Sequence, residues 1–90
     1  MLPVNWQTSF ERFVEVNFDQ LPAARLIFEE DLKPERIIRD LSLLTKKDIV
    51  PGSTLLFFDE AQEAPKALQS LRYFYEEMPD LHIIAAELPS

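Results

Sequence analysis

Leu55-Leu56-Phe57-Phe58 is a run of four large apolar residues that ends abruptly on Asp59-Glu60. A strand with one wet face alternates apolar and polar side chains. A continuous run therefore reads as a strand buried on both faces, the environment that parallel sheets create. Parallel neighbours need long crossovers, so this one segment already asks for helices on either side of it in the chain.

The rest of the sequence supplies them. Phe13 to Phe18 alternates, with Val14, Val16 and Phe18 on one face and Glu15 and Asn17 on the other, which predicts a half-exposed strand at a sheet edge. Pro22 suits the first turn of a helix running to about Glu30, with Leu26 and Ile27 inward. Pro34 starts a second, in which Ile37, Ile38, Leu41 and Leu44 recur at helical spacing. Asp48 to Ser53, containing Pro51-Gly52, reads as a turn into the apolar strand over 54–58. Pro65 opens a helix carrying Leu68, Leu71, Phe74 or Tyr75, and Met78, and Pro79 closes it. Leu81 to Ala86 is a third strand.

The order β-α-α-β-α-β predicts an α/β fold: a three-stranded parallel sheet with helical crossovers, its strands near 13–18, 54–58 and 81–86. Right-handed crossovers between strands lying in chain order put every helix on one face of the sheet. The other face is then largely bare, with only the first dozen residues to cover it. An exposed apolar sheet face tends to self-associate, so the chain is expected to be part of a larger fold or to pair with itself or another protein chain.

Ninety residues allow a single domain over 1–90. Sixteen acidic against nine basic residues give a net charge of −7, which opposes nucleic acid and anionic membranes. No apolar run approaches a membrane span and no signal pattern opens the chain, so a soluble, cytoplasmic protein is expected. Cysteine is absent and His82 is the single histidine, which removes thiolate sites and His-pair metal sites and argues against a His-dependent triad. Gly52 is the single glycine, so neither a G-x-x-x-x-G-K-[ST] phosphate loop nor a G-x-G-x-x-G loop is present.

Asp59 and Glu60 stand where the buried strand emerges at its carboxyl end, which is where ligands collect in open parallel sheets. One carboxylate there can hold Mg²⁺ through its water shell, and the other can orient a water for attack on a γ-phosphate. An Asp after a buried strand is often just a helix cap or a solvated turn residue, and on the residues alone that plainer account is slightly favoured, with both left open. Glu63 adds a third carboxylate nearby. Elsewhere the ordinary structural account comes first. His82 starts a strand with no second ligand beside it. Tyr73, Phe74 and Tyr75 pack on a helix. Arg72 pairs with Glu76, Lys46-Lys47 closes a helix, Glu29-Glu30-Asp31 is a solvated face, and Trp6 anchors the N-terminus.

The string Leu55 to Glu63, followed by Pro65, Ala67-Leu68, Ser70 to Glu76 and Pro79, resembles prokaryotic AAA-type P-loop ATPases, in which an AAA core precedes a C-terminal domain of poorly understood function. Val14 to Phe18 and Ile83 to Ala86 fit the flanking strands, so the likeness covers roughly residues 10–86. It implies a partial P-loop core holding the second, third and fourth strands. Asp59 matches the magnesium-side acid of the Walker B pair and Glu60 the water-activating acid. The first strand, its phosphate-binding loop and the next helix would lie before Met1. The family continues Ala-Gly-Ser after the last strand, whereas Ala86 here is followed by Glu87-Leu88-Pro89-Ser90, which puts the sensor residue in doubt.

Intact relatives use ATP and Mg²⁺. Loss of one oxyanion donor costs about 10²–10³ in rate, and here a whole phosphate cradle is missing, so this chain alone is expected to bind neither tightly and to have no meaningful ATPase activity. Three readings follow in order: part of an AAA-type ATP-hydrolysing core, a protein-interaction module using the bare sheet face or a strand edge, and a small Mg²⁺ enzyme using Asp59, Glu60 and Glu63.

Overall fold

The computed structural model describes residues 11–87. In chain order these form β1 (Arg12–Asn17), α1 (Pro22–Glu30), α2 (Pro34–Thr45), β2 (Thr54–Asp59), a 3₁₀ turn (Ala61–Glu63), α3 (Pro65–Glu77) and β3 (His82–Ala85). The three expected strands are present, each shifted by a residue at one or both ends. The sheet order is β1-β2-β3 and both pairings are parallel. The predicted N-terminal anchor Trp6 lies outside the described residues.

All three helices begin with proline, and in none does a side chain cap the first turn. Proline's missing N–H is one that the first turn leaves unbonded anyway, and its fixed φ is already helical. The Pro51-Gly52 turn closes with the Ser53 amide donating to the Val50 carbonyl at 3.0 Å, and Gly52 takes φ +87°. That is a type II turn, whose third position requires positive φ. The buried Thr54 hydroxyl then accepts from the Val50 amide at 2.9 Å, and β2 begins.

One face of the sheet carries the core. Val14 and Val16 of β1, Leu56 and Phe58 of β2, and the half-buried Ile83 and Ala85 of β3 pack against residues from every helix. Phe18, Phe28 and Phe58 meet edge-on in a triangle, with ring centroids 5.2–5.8 Å apart. Such pairs add roughly 0.5–1.5 kcal/mol each beyond the area they bury. The triangle joins the residue after β1, the last turn of α1 and the end of β2, and so packs the core directly under the carboxyl edge of the sheet.

No described helix packs on the other face. Phe13 and Ile84 are exposed there, 53% and 43%, as the same-face argument requires. The central strand departs from it, because Leu55 is buried and Phe57 half-buried. Two other expectations need correction. Leu26 points outward at 69% exposure, and the buried residues of α1 are Ala24 and Phe28. Residues 24, 27 and 28 share one helical face, and 26 sits opposite, so the small alanine took the place expected of the leucine. On α3 only Phe74 of the aromatic trio is in the core. Tyr75 is 82% and Tyr73 39% exposed, because the face against the sheet is Ala67, Ser70 and Phe74.

Glu29-Glu30-Asp31 is not merely a solvated face. Glu29 pairs with Lys66, while Glu30 and Asp31 both reach Arg36. Arg36 is 14% exposed and donates to Asp31 Oδ1 and Asp40 Oδ2 at 2.8 Å and to the carbonyls of Ile27 and Asp31. It thereby satisfies carbonyls that the end of α1 leaves without amide partners, and ties α1 to α2.

Candidate functional site

The carboxyl ends of the three parallel strands lie along one edge, and in register Asn17 stands beside Asp59. Asn17 organises the exit from β1. Its Oδ1 accepts from the amides of Asp19 and Gln20 at 2.9 and 3.0 Å, and its carbonyl accepts from Leu21 at 2.9 Å. Asparagine favours this kind of turn because its short side chain bonds its own downstream backbone. With Oδ1 so occupied, the amide nitrogen is turned toward Asp59 Oδ2, 3.5 Å away. The Phe18 amide donates to the Asp59 carbonyl at 3.0 Å and extends the β1–β2 ladder to the edge.

Asp59 is half-buried, and its Oδ1 accepts from the Glu60 amide at 2.9 Å. Glu60 departs from ordinary backbone, with φ 54° and ψ 44°. A residue with a long side chain enters this left-handed region at a cost of roughly 1–2 kcal/mol, and it persists only where neighbouring contacts over-determine it. Those contacts are present. The Glu63 amide donates back to the Glu60 carbonyl at 3.0 Å, and the buried Ala61 donates to the Ala86 carbonyl at 2.9 Å. Ala86 in turn donates to the Phe58 carbonyl at 2.8 Å, so the turn is stitched to β3 and β3 to β2. The Glu60 carboxylate accepts from Gln62 Nε2 at 2.6 Å.

Glu63 goes elsewhere. Its Oε1 lies 4.0 Å from Arg25 Nη1. Among the described residues no three His, Cys, Asp or Glu side chains converge on a common metal position, so the carboxylate trio expected of a self-contained Mg²⁺ enzyme is not assembled. Mg²⁺ itself keeps several waters and takes one or two carboxylates plus substrate phosphates. The lone pairs left on Asp59 fit that role and do not fit a closed protein cage.

The other singled-out residues keep to structural places. His82 opens β3 on the helix-free face, Arg72 Nε lies 3.7 Å from Glu76, and Lys46 ends α2 with φ 58°. A broad depression of about 660 Å³ at the start of α2, lined by Lys33, Arg36, Arg39 and Glu77, includes neither acid of the pair. No helix among the described residues is long and apolar enough to cross a membrane.

Sequence reasoning missed Asn17, Gln62 and Arg25 as parts of this edge. For Asn17 a signal existed, since Asn-Phe-Asp-Gln after a strand is a turn former. Its alignment with Asp59 depends on register and is invisible locally.

Compared with known proteins, residues 3–87 match the model of a family described as an AAA domain. No curated protein and no solved structure matches the chain.

Proposed function

The chain belongs to the AAA domain family, and from that premise we propose that Asp59 and Glu60 are the Walker B pair of an ATP-hydrolysing core, with Asp59 on the magnesium side and Glu60 facing the attacking water. The α/β fold, a three-stranded parallel sheet with three helices, is consistent with a partial P-loop NTPase core. The observation that carries the assignment is the backbone of Glu60. An acid directly after the central strand, held in a left-handed conformation by bonds to its neighbours, is a residue aimed at a fixed direction.

In this reading Asp59 offers one carboxylate to a hydrated Mg²⁺, which when bound neutralises phosphate charge. Glu60 accepts a hydrogen bond from a water and sets its direction. The aromatic triangle beneath holds both acids on rigid elements. With Gly52 as its single glycine the sequence has no phosphate cradle of the usual kind, so catalysis by this chain needs phosphate-binding groups from outside it. Alone it carries the acidic half of the site and does not turn over ATP.

The test uses the ¹⁵N-labelled 90-residue chain with Mn²⁺ as a paramagnetic probe, with and without ATP. Line broadening centred on the amides of Asp59 to Ala61, abolished in Asp59→Asn, is expected, with no phosphate release above background. Broadening unaffected by Asp59→Asn removes the metal assignment. Phosphate release that disappears in Glu60→Gln would overturn the claim that the chain is incompetent alone.

A second reading has its own observation. Phe13 and Ile84 are exposed on the face that no described helix covers, which favours a docking role through the sheet. A defined dimer by sedimentation at micromolar concentration, lost in a Phe13→Ser, Ile84→Ser double variant, is expected on this reading, and a monomer throughout removes it for a second copy of the chain.

A further inference from the structure

Two ion pairs join α1 to the turn that follows Glu60, and their charges are reciprocal. Arg25 and Glu29 stand four residues apart on one side of α1. Opposite them are Glu63, the last residue of the 3₁₀ turn, and Lys66, the second residue of α3. Arg25 Nη1 lies 4.0 Å from Glu63 Oε1, and Lys66 Nζ lies 3.0 Å from Glu29 Oε1. α1 carries one charge of each sign, and the turn and α3 facing it supply one of each between them, so sliding α1 by a turn would set Arg25 against Lys66 or Glu29 against Glu63. Like charges at contact are unfavourable, so the pattern specifies one alignment.

Several of the residues these elements bury are small. Ala24 of α1 and Ala61, Ala64 and Ala67 of the turn and α3 are all buried in the one core cluster, together with Phe28. Alanines let the backbones approach closely but hold a position weakly, because they have no shape to interlock. The charges outside supply the register that the alanines lack. Arg25 itself is not saturated, since its Nε is buried without a hydrogen-bond partner.

We propose that this reciprocal latch is a positioning device for Glu60. It presses the turn Ala61–Glu63 against α1 from the outer side, while the Ala61–Ala86 bond holds it from the sheet side, and between the two Glu60 is kept in its left-handed conformation. Arg25, Glu29, Glu63 and Lys66 are positioning residues, and the meaning for catalysis rests on Glu60 being the water-directing acid. All four side chains are substantially exposed, between 36% and 57%. Such pairs contribute little to global stability, so the latch acts on the local opening of one turn.

Amide hydrogen exchange of the 90-residue chain at low salt tests it. The reporters are Glu63 and Ala64, whose amides donate to Glu60 and Ala61. Arg25→Glu and Glu63→Arg should each speed exchange at both by about threefold or more, while the urea midpoint barely moves. The double reversal should restore wild-type rates, Arg25→Lys should keep them, and about 0.5 M salt should erase most of the differences. Single reversals without effect, or a double reversal that fails to rescue, overturn the latch. The experiment contains neither metal nor nucleotide. Its failure therefore leaves the Asp59 assignment standing, and failure of the Mn²⁺ experiment overturns that assignment without touching the latch.

Discussion

Replacing Arg36 with alanine tests the corner between α1 and α2 most directly. The guanidinium is 14% exposed and reaches the carbonyls of Ile27 and Asp31 as well as the carboxylates of Asp31, Asp40 and Glu30. The two carbonyls belong to a helix end and would lose charged donors. At about 1.5 kcal/mol net for each such bond, the low end for a charged donor because the site is partly exposed, the loss comes to about 3 kcal/mol. A domain of this length has a stability of about 5–13 kcal/mol, so the effect is a large share of the total. Arg36→Lys keeps a charge but not the planar fork, and should lose about half as much.

The carboxylates govern how that loss varies with pH. Hydrogen bonding from the Arg36 side chain, and then from the Lys33 amide, holds the Asp31 carboxyl below its ordinary value of 3.8. A depressed acid stabilises the fold above its unfolded pKa, and that contribution is lost as pH falls through the folded value. The gap between wild type and Arg36→Ala in urea unfolding should therefore be widest near pH 7 and shrink steadily below about pH 4. A gap under about 1 kcal/mol at pH 7, or one that stays constant down to pH 2, would refute the reasoning.

Five further variants, at four positions, probe single features by the same unfolding assay. Glu60→Gly should stabilise the chain by about 1 kcal/mol, because glycine accepts the left-handed backbone without steric cost, whereas Glu60→Gln should leave stability unchanged. Gly52→Ala should cost about 1 kcal/mol although nothing lies within 4 Å of the added methyl group, since the cost comes from φ +87° alone. Phe58→Ala should cost about 3–5 kcal/mol by emptying the centre of the aromatic triangle, and Leu26→Gln should change stability by less than about 0.5 kcal/mol.

The architecture was legible because it is written in periodicities. Val14, Val16 and Phe18 alternate, Ile37, Ile38 and Leu41 recur at helical spacing, and three prolines mark three helix starts. Leu26 defies its size, being exposed, because the buried face of α1 is set by the helical positions of Ala24 and Phe28. The acidic pair could be located from the strand before it. Its setting could not, since Asn17 meets Asp59 only after a register forms between residues 42 positions apart. Nor does anything local announce a left-handed glutamate, because that conformation is ordinarily the business of glycine and asparagine. The bonds from Arg36 to Asp31 and the Ile27 carbonyl, and the Arg25–Glu63 pair, are tertiary facts, each side chain finding partners beyond its own element.

The parallel arrangement of the three strands also bears on how the chain folds. No hairpin exists among the described strands. Arg12 must wait for Thr54, and Leu55 for His82, before either has a partner. The helices between them are local and proline-started, and can form in isolation only fleetingly. The entropy of closing both crossovers therefore has to be met before sheet hydrogen bonds offset it, which places the barrier late and the rate in the slower range for a domain of this length. During synthesis β1 leaves the ribosome without its β2 partner, and that side stays open until two helices and a turn have followed it out. Over that interval Val14, Val16 and Phe18 are as available to a neighbouring chain as to their own.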